Sequence, residues 1–71
     1  MSVKDLKKNQ KGVVKEIIGD NRLQRQRLFD LGFVPGQEVT CKQRVFGTYA
    51  IEVMGSKYGL RSEVVETIIL K

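Results

Sequence analysis

Residues 27–36 read Arg-Leu-Phe-Asp-Leu-Gly-Phe-Val-Pro-Gly, and they contain the end of a helix, a turn and the approach to a strand. Gly32 stands where a helix that ends in the left-handed conformation needs a residue without a side chain. This placement brings Leu28 and Phe33 to the two positions that touch in a Schellman ending. Pro35 follows at a point where the helix cannot continue. The segment therefore predicts a helix that stops before Gly32 and leaves two apolar side chains in contact.

The helix itself is predicted over Arg22–Leu31, because this segment has no β-branched residue and consists mostly of good helix formers. Asp20 or Asn21 can accept hydrogen bonds from its first free backbone N–H groups. After the helix, Pro35 and Gly36 suit the two central positions of a type II turn. The chain is therefore expected to leave the helix through a tight turn and to continue as a strand.

Residues 38–46 alternate between apolar and polar side chains, which predicts a half-buried antiparallel strand. Its inward face would carry Val39, Cys41 and Val45, with Gln43 as the exception. Its outward face would carry the polar residues Glu38, Thr40, Lys42 and Arg44.

A second strand is predicted directly after a hairpin turn at residues 46–48. Tyr49, Ile51 and Val53 alternate along it and form the next inward-facing set, with Glu52 pointing outward. A further turn at Gly55-Ser56 leads to a short strand over residues 57–61. Ser62 and Glu63 then begin a single helical turn, and residues 67–70 form the last strand.

The chain before the helix predicts one more strand. Residues 13–18 are rich in β-branched side chains, and the doublets at residues 13–14 and 17–18 indicate a bulge or burial on both faces. Ahead of it, residues 3–9 carry a weak helical signal that Ser2 and Asp5 would cap, with Leu6 as its one core contact. The chain is predicted to be mainly β: a small, partly open barrel of about five strands with one inserted α-helix, forming one domain over residues 1–71.

Composition excludes several classes of protein but does not identify the function. The chain has 71 residues, a net charge of +5, one cysteine and no histidine. A domain this small must be stabilised by its apolar core, because neither a disulfide nor a zinc cluster is available. Its start has no apolar segment typical of a secretory signal, no run of apolar residues could span a bilayer, and the lone cysteine fits a reducing compartment. These features predict a cytoplasmic protein.

Catalytic and metal sites are not predicted. Without histidine there is no Ser–His or Cys–His pair, and no phosphate-binding glycine loop of the P-loop type occurs. The eight carboxylates are scattered among lysines, arginines and polar residues, a pattern typical of a solvated surface. Cys41, at an inward strand position, is interpreted as a small core residue. We therefore expect no enzymatic activity, no cofactor and no metal site within one chain, whereas a carboxylate site shared between two chains stays open.

Two groups of residues are candidates for binding a partner. Arg22, Arg25 and Arg27 lie on the predicted helix, where arginine can pair with carboxylates or phosphates, although a solvated face fits equally well. The other group is aromatic and lies near turns, where a ring can serve as a binding anchor or simply fill the core: Phe46, Tyr49 and Tyr58.

Three parts of the chain resemble the FeoA family of ferrous iron transport accessory proteins. Residues 27–36 resemble its Leu-Gly-Phe-x-Pro-Gly element, and residues 58–68 resemble its closing Leu-Arg pattern. The opening pattern of Leu6, Gly12, Val14 and Ile17 is similar as well. The resemblance covers nearly the whole chain.

This resemblance implies an SH3-like barrel that supports ferrous iron uptake by binding the cytoplasmic part of FeoB, a membrane transporter with a GTP-binding domain. The domain would neither hold iron nor hydrolyse nucleotide itself, it would reach the membrane only through its partner, and a homo-oligomer stays open. A similar domain is the C-terminal module of iron- and manganese-dependent repressors.

Two alternatives remain at the level of sequence. Residues 11–19 resemble the glycine-bounded strand of KOW-type nucleic-acid-binding barrels, and a charge of +5 suits that function. Against it, Glu16, Glu38, Glu52 and Glu66 interrupt any continuous basic stripe, so no nucleic acid is expected as a partner. An enzyme subunit or metallochaperone is disfavoured by the missing histidine.

Overall fold

Five antiparallel strands form one sheet in the computed structural model, which describes all residues from 1 to 71. The strands are β1 (Lys11–Ile17), β2 (Glu38–Val45), β3 (Thr48–Val53), β4 (Ser56–Arg61) and β5 (Ile68–Leu70). The helices are α1 (Arg22–Leu31) between β1 and β2, and α2 (Ser62–Val65) between β4 and β5, and a 3-10 turn (Val3–Asp5) opens the chain. The strand order is β4-β3-β2-β1-β5, so β4 and β5 are the two edges of the sheet. The prediction of a mainly β fold with one inserted helix is confirmed.

The start and the end of α1 follow from local sequence. The Asn21 side chain accepts a hydrogen bond of 2.9 Å from the backbone N–H of Gln24, which confirms the predicted N-cap. At the other end Gly32 has a φ of 111°, and its N–H donates to the carbonyl of Phe29 at 3.0 Å. The N–H of Phe33 donates to the carbonyl of Leu28 at 3.0 Å. These two bonds define a Schellman ending, and they join α1 to the segment that leads into β2.

The turn after α1 has the predicted form. The N–H of Gln37 donates to the carbonyl of Val34 at 3.0 Å, and Gly36 between them has a φ of 93°. A positive φ at the second central position is what a type II turn requires. The turn also connects to β1, because the N–H of Gly36 donates to the carbonyl of Val14 at 2.8 Å.

A bulge in β2 changes which residues face the core. The pairing with β3 shifts between Cys41 and Gln43, so that Arg44 lies opposite the buried Tyr49 and Val45 lies opposite Thr48. The predicted inward face is therefore correct for Val39 and Cys41 and wrong for Val45, whose side chain is 45% exposed. Arg44 was expected to point outward, but it shares the face of Tyr49. One inserted residue reverses the alternation for the rest of a strand, because the side-chain period is two.

The opening of the chain is shorter and more buried than expected. Ser2 and Asp5 form the predicted capping box, but the helical turn covers only Val3–Asp5. Leu6 is buried as predicted; it is not the only core contact, because Val3 is fully buried too. In β1 the pairing with β5 shifts between Val14 and Glu16, which confirms the expected bulge.

The core lies between the inner face of the sheet, the 3-10 turn, α1 and α2. Its thirteen buried residues are Val3, Leu6, Val14, Leu28, Phe33, Val39, Cys41, Tyr49, Ile51, Val53, Val65, Ile68 and Leu70. Leu28 is the only buried residue of α1. The helix is therefore held on the barrel by a narrow apolar contact, and most of its surface stays accessible.

Replacing Gly32 by alanine should destabilise the domain more than the same change at Gly36. Both residues have a positive φ, which costs a residue with a side chain about 1–2 kcal/mol. At Gly32 the added Cβ would also lie 2.8 Å from the Met54 sulfur, whereas at Gly36 it would meet nothing within 4 Å. We expect the free energy of unfolding in urea to fall by about 2 kcal/mol for Gly32→Ala and by about 1 kcal/mol for Gly36→Ala. Equal losses would show that the contact with Met54 contributes nothing.

Candidate partner-binding surface

The turn between β2 and β3 presents one of the predicted aromatic residues to solvent. Phe46 and Gly47 form a two-residue connection, with φ values of 46° and 77°. Positive values at both positions are those of a type I′ hairpin turn. The Phe46 side chain is fully exposed, at 102% of its reference area. A bulky residue is uncommon in this conformation, so the turn holds a large apolar ring in water at a cost in backbone energy.

The two tyrosines are placed differently from Phe46. Tyr49 is only 6% exposed and belongs to the core, with the Arg44 guanidinium 5.2 Å from the centre of its ring. Tyr58 is half-buried and lies against Phe33, with ring centres 6.4 Å apart. Interpreting Tyr49 as an exposed anchor is therefore wrong, and the alternative of core filling is correct for it. Tyr58 also contributes mainly to packing, and the structure does not bring the three aromatic rings onto one surface.

The three arginines of α1 lie in different environments. Arg25 is half-buried, and its guanidinium donates to the backbone carbonyl of Gly19, in the loop before the helix. Arg22 and Arg27 are exposed, and none of the three forms an ion pair. The ion pairs of the domain lie elsewhere: Lys4–Glu66, Lys11–Glu38 and Lys42–Glu52. The unpaired positive charge of α1 is thus available to an acidic partner.

A groove of about 400 Å³ runs between α1 on one side and β4 and α2 on the other. We call it the α1–β4 groove; its lining residues are Asn21, Leu23, Gln24, Arg27, Leu28, Leu31, Gly59, Leu60, Arg61 and Val64. Most of the less exposed lining residues are apolar: Leu28 is buried, and Leu31, Leu60 and Val64 are half-buried, as is the polar Gln24. Arg27 and Arg61 are exposed, as is Leu23 at 82%. An apolar floor between two cations fits an apolar segment that carries carboxylates.

The groove and the exposed Phe46 lie on neighbouring parts of the molecule. Arg61 is paired with Thr48, and the N–H of Ser62 donates to the carbonyl of Gly47 at 2.9 Å. The hairpin tip is therefore fixed to the start of α2, beside one end of the groove. A partner that fills the groove could reach Phe46 with little additional contact area.

Of the predicted arginines, only Arg27 lines this groove. Leu23 and Arg61 were not singled out from the sequence. Leu23 carried one usable signal: it is a leucine outside the Leu28–Leu31 pair, at a position where the structure leaves it exposed and a surface helix normally has a polar residue. Arg61 carried none, because its place opposite the helix depends on the pairing of β4.

No three cysteine, aspartate or glutamate side chains lie close enough together to share a metal ion. No helix has the length and apolar character required to cross a membrane. The groove lining contains neither a carboxylate nor a thiol, so the chemistry that it offers is apolar contact, hydrogen bonding and positive charge.

A family model for the FeoA domain matches residues 1–71, the full length of the sequence. The chain belongs to the FeoA family. This family is associated with ferrous iron transport as an accessory domain, and it is not known as an enzyme. A comparison with curated protein sequences found no match.

Solved structures of FeoA proteins share the fold of this FeoA-family domain. FeoA of Stenotrophomonas maltophilia, an SH3 domain protein solved in complex with zinc, superposes with a TM-score of 0.91 at 22% identity, over 100% of this chain and 89% of that one. FeoA of Chlorobium tepidum superposes with a TM-score of 0.87 at 21% identity, over 99% of this chain and 68% of that one. A manganese-dependent transcriptional repressor superposes with a TM-score of 0.86 at 13% identity, over 96% of this chain and 39% of the repressor chain. The predicted SH3-like fold is confirmed.

Cys41 is the one thiol of this FeoA-family domain, and it is fully buried on the inner face of β2. Burial raises the pKa of the Cys41 thiol, and the positive charge of Arg44 partly offsets this effect. The folded domain therefore keeps the thiol protonated at pH values where an unfolded chain loses the proton.

The free energy of unfolding should consequently fall as the pH rises above about 8.5, the ordinary thiol pKa. Above that pH the unfolded chain binds fewer protons than the folded one, and stability decreases by up to about 1.4 kcal/mol per pH unit until the folded pKa is reached. Urea unfolding of the wild type and of Cys41→Ala between pH 7 and 9.5 measures the effect. The variant should be less stable at neutral pH and lack this contribution to the slope. Parallel curves for the two proteins would show that Cys41 does not titrate differently on folding.

Proposed function

We propose that this FeoA-family domain is a non-enzymatic accessory protein of ferrous iron uptake that binds the cytoplasmic part of a FeoB-type membrane transporter. The α1–β4 groove is the observation that carries the proposal. It combines a floor of half-buried leucine and valine side chains with two exposed arginines, Arg27 and Arg61, that form no ion pair. Binding to such a surface is favourable when a partner covers the apolar floor and supplies carboxylates to the arginines.

The proposal assigns different contributions to the predicted binding residues. Arg27 contacts the partner directly, because it lines the groove. Arg25 acts mainly by holding the loop before α1, since its guanidinium is engaged with the Gly19 carbonyl. Phe46 acts as a second, aromatic contact at the hairpin tip, because its ring has no intramolecular packing to lose. Tyr49 and Tyr58 pack in or against the core beneath the surface and do not contact the partner.

The transporter brings the domain to the membrane, and the domain works on the cytoplasmic side. It carries neither the iron nor the nucleotide; it modulates transport or the assembly of the transporter by contact alone. Covering the groove and the hairpin tip together would involve about 20 residues or fewer, which corresponds to the small interfaces of regulated, reversible complexes.

A charge reversal at Arg27 tests the proposal, with Arg22 as its matched control on the same helix. Binding of the purified cytoplasmic domain of the FeoB-type transporter is measured by calorimetry at 150 mM salt. Arg27→Glu should weaken binding by at least about tenfold, because it removes a charge-assisted contact and adds repulsion. Arg22→Glu does not touch the groove and should change the affinity by no more than about threefold through long-range charge effects. Thermal unfolding of both variants checks that the fold is intact.

Several results would contradict the proposal. No binding by the wild type would overturn the assignment of the partner, and equal effects of the two reversals would remove the groove from the model. Tight binding of single-stranded RNA or duplex DNA that falls steeply with salt would favour the nucleic-acid-binding alternative instead. Phe46→Ala gives an independent check, since an aromatic anchor at an interface contributes on the order of 1–2 kcal/mol to binding.

A further inference from the structure

The two edges of the sheet are treated differently by the rest of the chain. At β5 the N-terminal segment covers the edge: Ser2 pairs with Ile69, and the N–H of Leu70 donates to the carbonyl of Met1 at 2.8 Å. No segment pairs with the outer edge of β4, whose only strand neighbour is β3. An open strand edge is a template for pairing with another chain, and proteins usually cover or blunt it.

The hydrogen-bonding groups on the open edge follow from the register of β4. Val53 and Ser56 flank a two-residue turn, so they form a hydrogen-bonded pair, and the pairs along the strand then alternate. The bond from the Ser62 N–H to the Gly47 carbonyl continues this alternation. The N–H groups of Lys57, Gly59 and Arg61 consequently point away from β3. These N–H groups donate to no backbone carbonyl and to no side chain.

The same edge forms one wall of the α1–β4 groove. Gly59, Leu60 and Arg61 line the groove from the sheet side, and α1 lines it from the other side. A chain laid along β4 would therefore place alternate side chains over the apolar floor. Gly59 has no side chain that would stand between the edge and such a chain, and a Cβ built there would meet only the Thr48 methyl, at 3.9 Å. Backbone pairing and apolar burial are thus available to the same extended segment.

We propose that β4 accepts an extended, acidic–apolar segment of a partner protein as a sixth strand, which fills the α1–β4 groove. The inference deepens the proposed function by naming the form of the segment that the groove recognises. Main-chain hydrogen bonds to Gly59 and its neighbours fix the segment on the edge, and alternate apolar side chains cover the floor beside Leu60. Carboxylates on the other face of the segment lie on the side of Arg61, which alternates with Leu60 along β4, and Arg27 adds a positive charge on the α1 side of the groove.

Charge selects an acidic segment over a second copy of this domain. Lys57 and Arg61 lie on the open edge and form no ion pair, and Arg27 lines the α1 side of the groove that Arg61 lines from the sheet side. Two β4 edges placed side by side would bring these cations close to their counterparts, and like charges on neighbouring strands are destabilising. The same cations attract a segment that carries glutamate or aspartate.

Two substitutions at Gly59 separate strand addition from other ways of filling the groove. Gly59→Pro removes an N–H that points to the open edge and leaves the pairing with β3 intact, because proline is tolerated on an edge strand in that orientation. Gly59→Ala keeps the N–H, and its Cβ would meet only the Thr48 methyl at an ordinary 3.9 Å. With the cytoplasmic domain of the FeoB-type transporter, Gly59→Pro should weaken binding at least about tenfold, and Gly59→Ala less than about threefold. Equal affinities of the two variants, with both folded, overturn strand addition and leave the proposed function standing.

A peptide probe tests the edge without the transporter. The probe is acetyl-Glu-Leu-Glu-Val-Glu-Leu-Glu-amide, titrated into the isotope-labelled domain and followed by NMR. The amides of Lys57, Gly59 and Arg61 should become protected from hydrogen exchange, whereas the amides of Tyr58 and Leu60 are already paired with β3.

Two methylated versions of the probe complete the test. One carries N-methyl groups on its leucine and valine residues, and the other carries them on its glutamates. Only one of these sets faces β4 in an added strand, so the two peptides should differ at least about tenfold in affinity. Equal affinities, or binding without protection of the edge amides, overturn the inference. If the peptide pairs with β4 but the transporter domain does not bind, the proposed function fails and the edge site stands. Concentration-dependent dimers with protected edge amides, formed without any probe, would replace the acidic segment by a second copy.

Discussion

The left-handed ending of α1 at Gly32 is the constraint on which the rest of the molecule depends. It turns the chain within one residue and places Leu28 and Phe33, one from each side of the turn, in the same core. Because Leu28 is the only buried residue of the helix, the angle at which α1 leaves the barrel is set by this turn more than by packing along its length. The groove lies between this helix, which buries only one residue, and the edge strand β4.

The distribution of charge supports recognition of an acidic surface. Three lysines are paired with Glu38, Glu52 and Glu66 on the barrel, and these partly exposed pairs contribute little to stability. Their effect is to balance the charge on that part of the surface. Arg22, Arg27 and Arg61 have no such partners, so part of the net charge of +5 is concentrated around α1 and the end of β4. A cationic groove with an apolar floor discriminates by sign as well as by shape.

The two edges of the sheet differ: the β5 edge is covered by the N-terminal segment, and the β4 edge is open. The N-terminal segment pairs with β5 and contributes Val3 and Leu6 to the core, so that edge serves stability. The β4 edge remains accessible next to the groove and to Phe46, whose turn keeps a large ring in solvent. The covered edge thus serves stability, and the open edge, at the opposite side of this small sheet, is where we propose that a partner segment binds.

The sequence by itself determined every element whose signal is local. The bounds of α1, the cap at Asn21, the Schellman ending and the turn at Pro35-Gly36 follow from backbone preferences of the residues concerned, and the structure confirms each of them. Strands β1, β2 and β3 followed from alternation and from β-branched residues, and the two short strands β4 and β5 from their places after turns. The family followed from patterns spread along most of the chain.

Only the tertiary structure decided which side chains form the surface. The bulge after Cys41 turned Val45 outward and brought Arg44 over Tyr49, and β2 has no apolar doublet of the kind that indicated the bulge in β1. The groove joins residues of α1 with Gly59 and Arg61, about thirty positions later in the chain. Their proximity comes from strand register and from the angle of α1, which are set by contacts between distant segments, so no pattern along the sequence could have shown it.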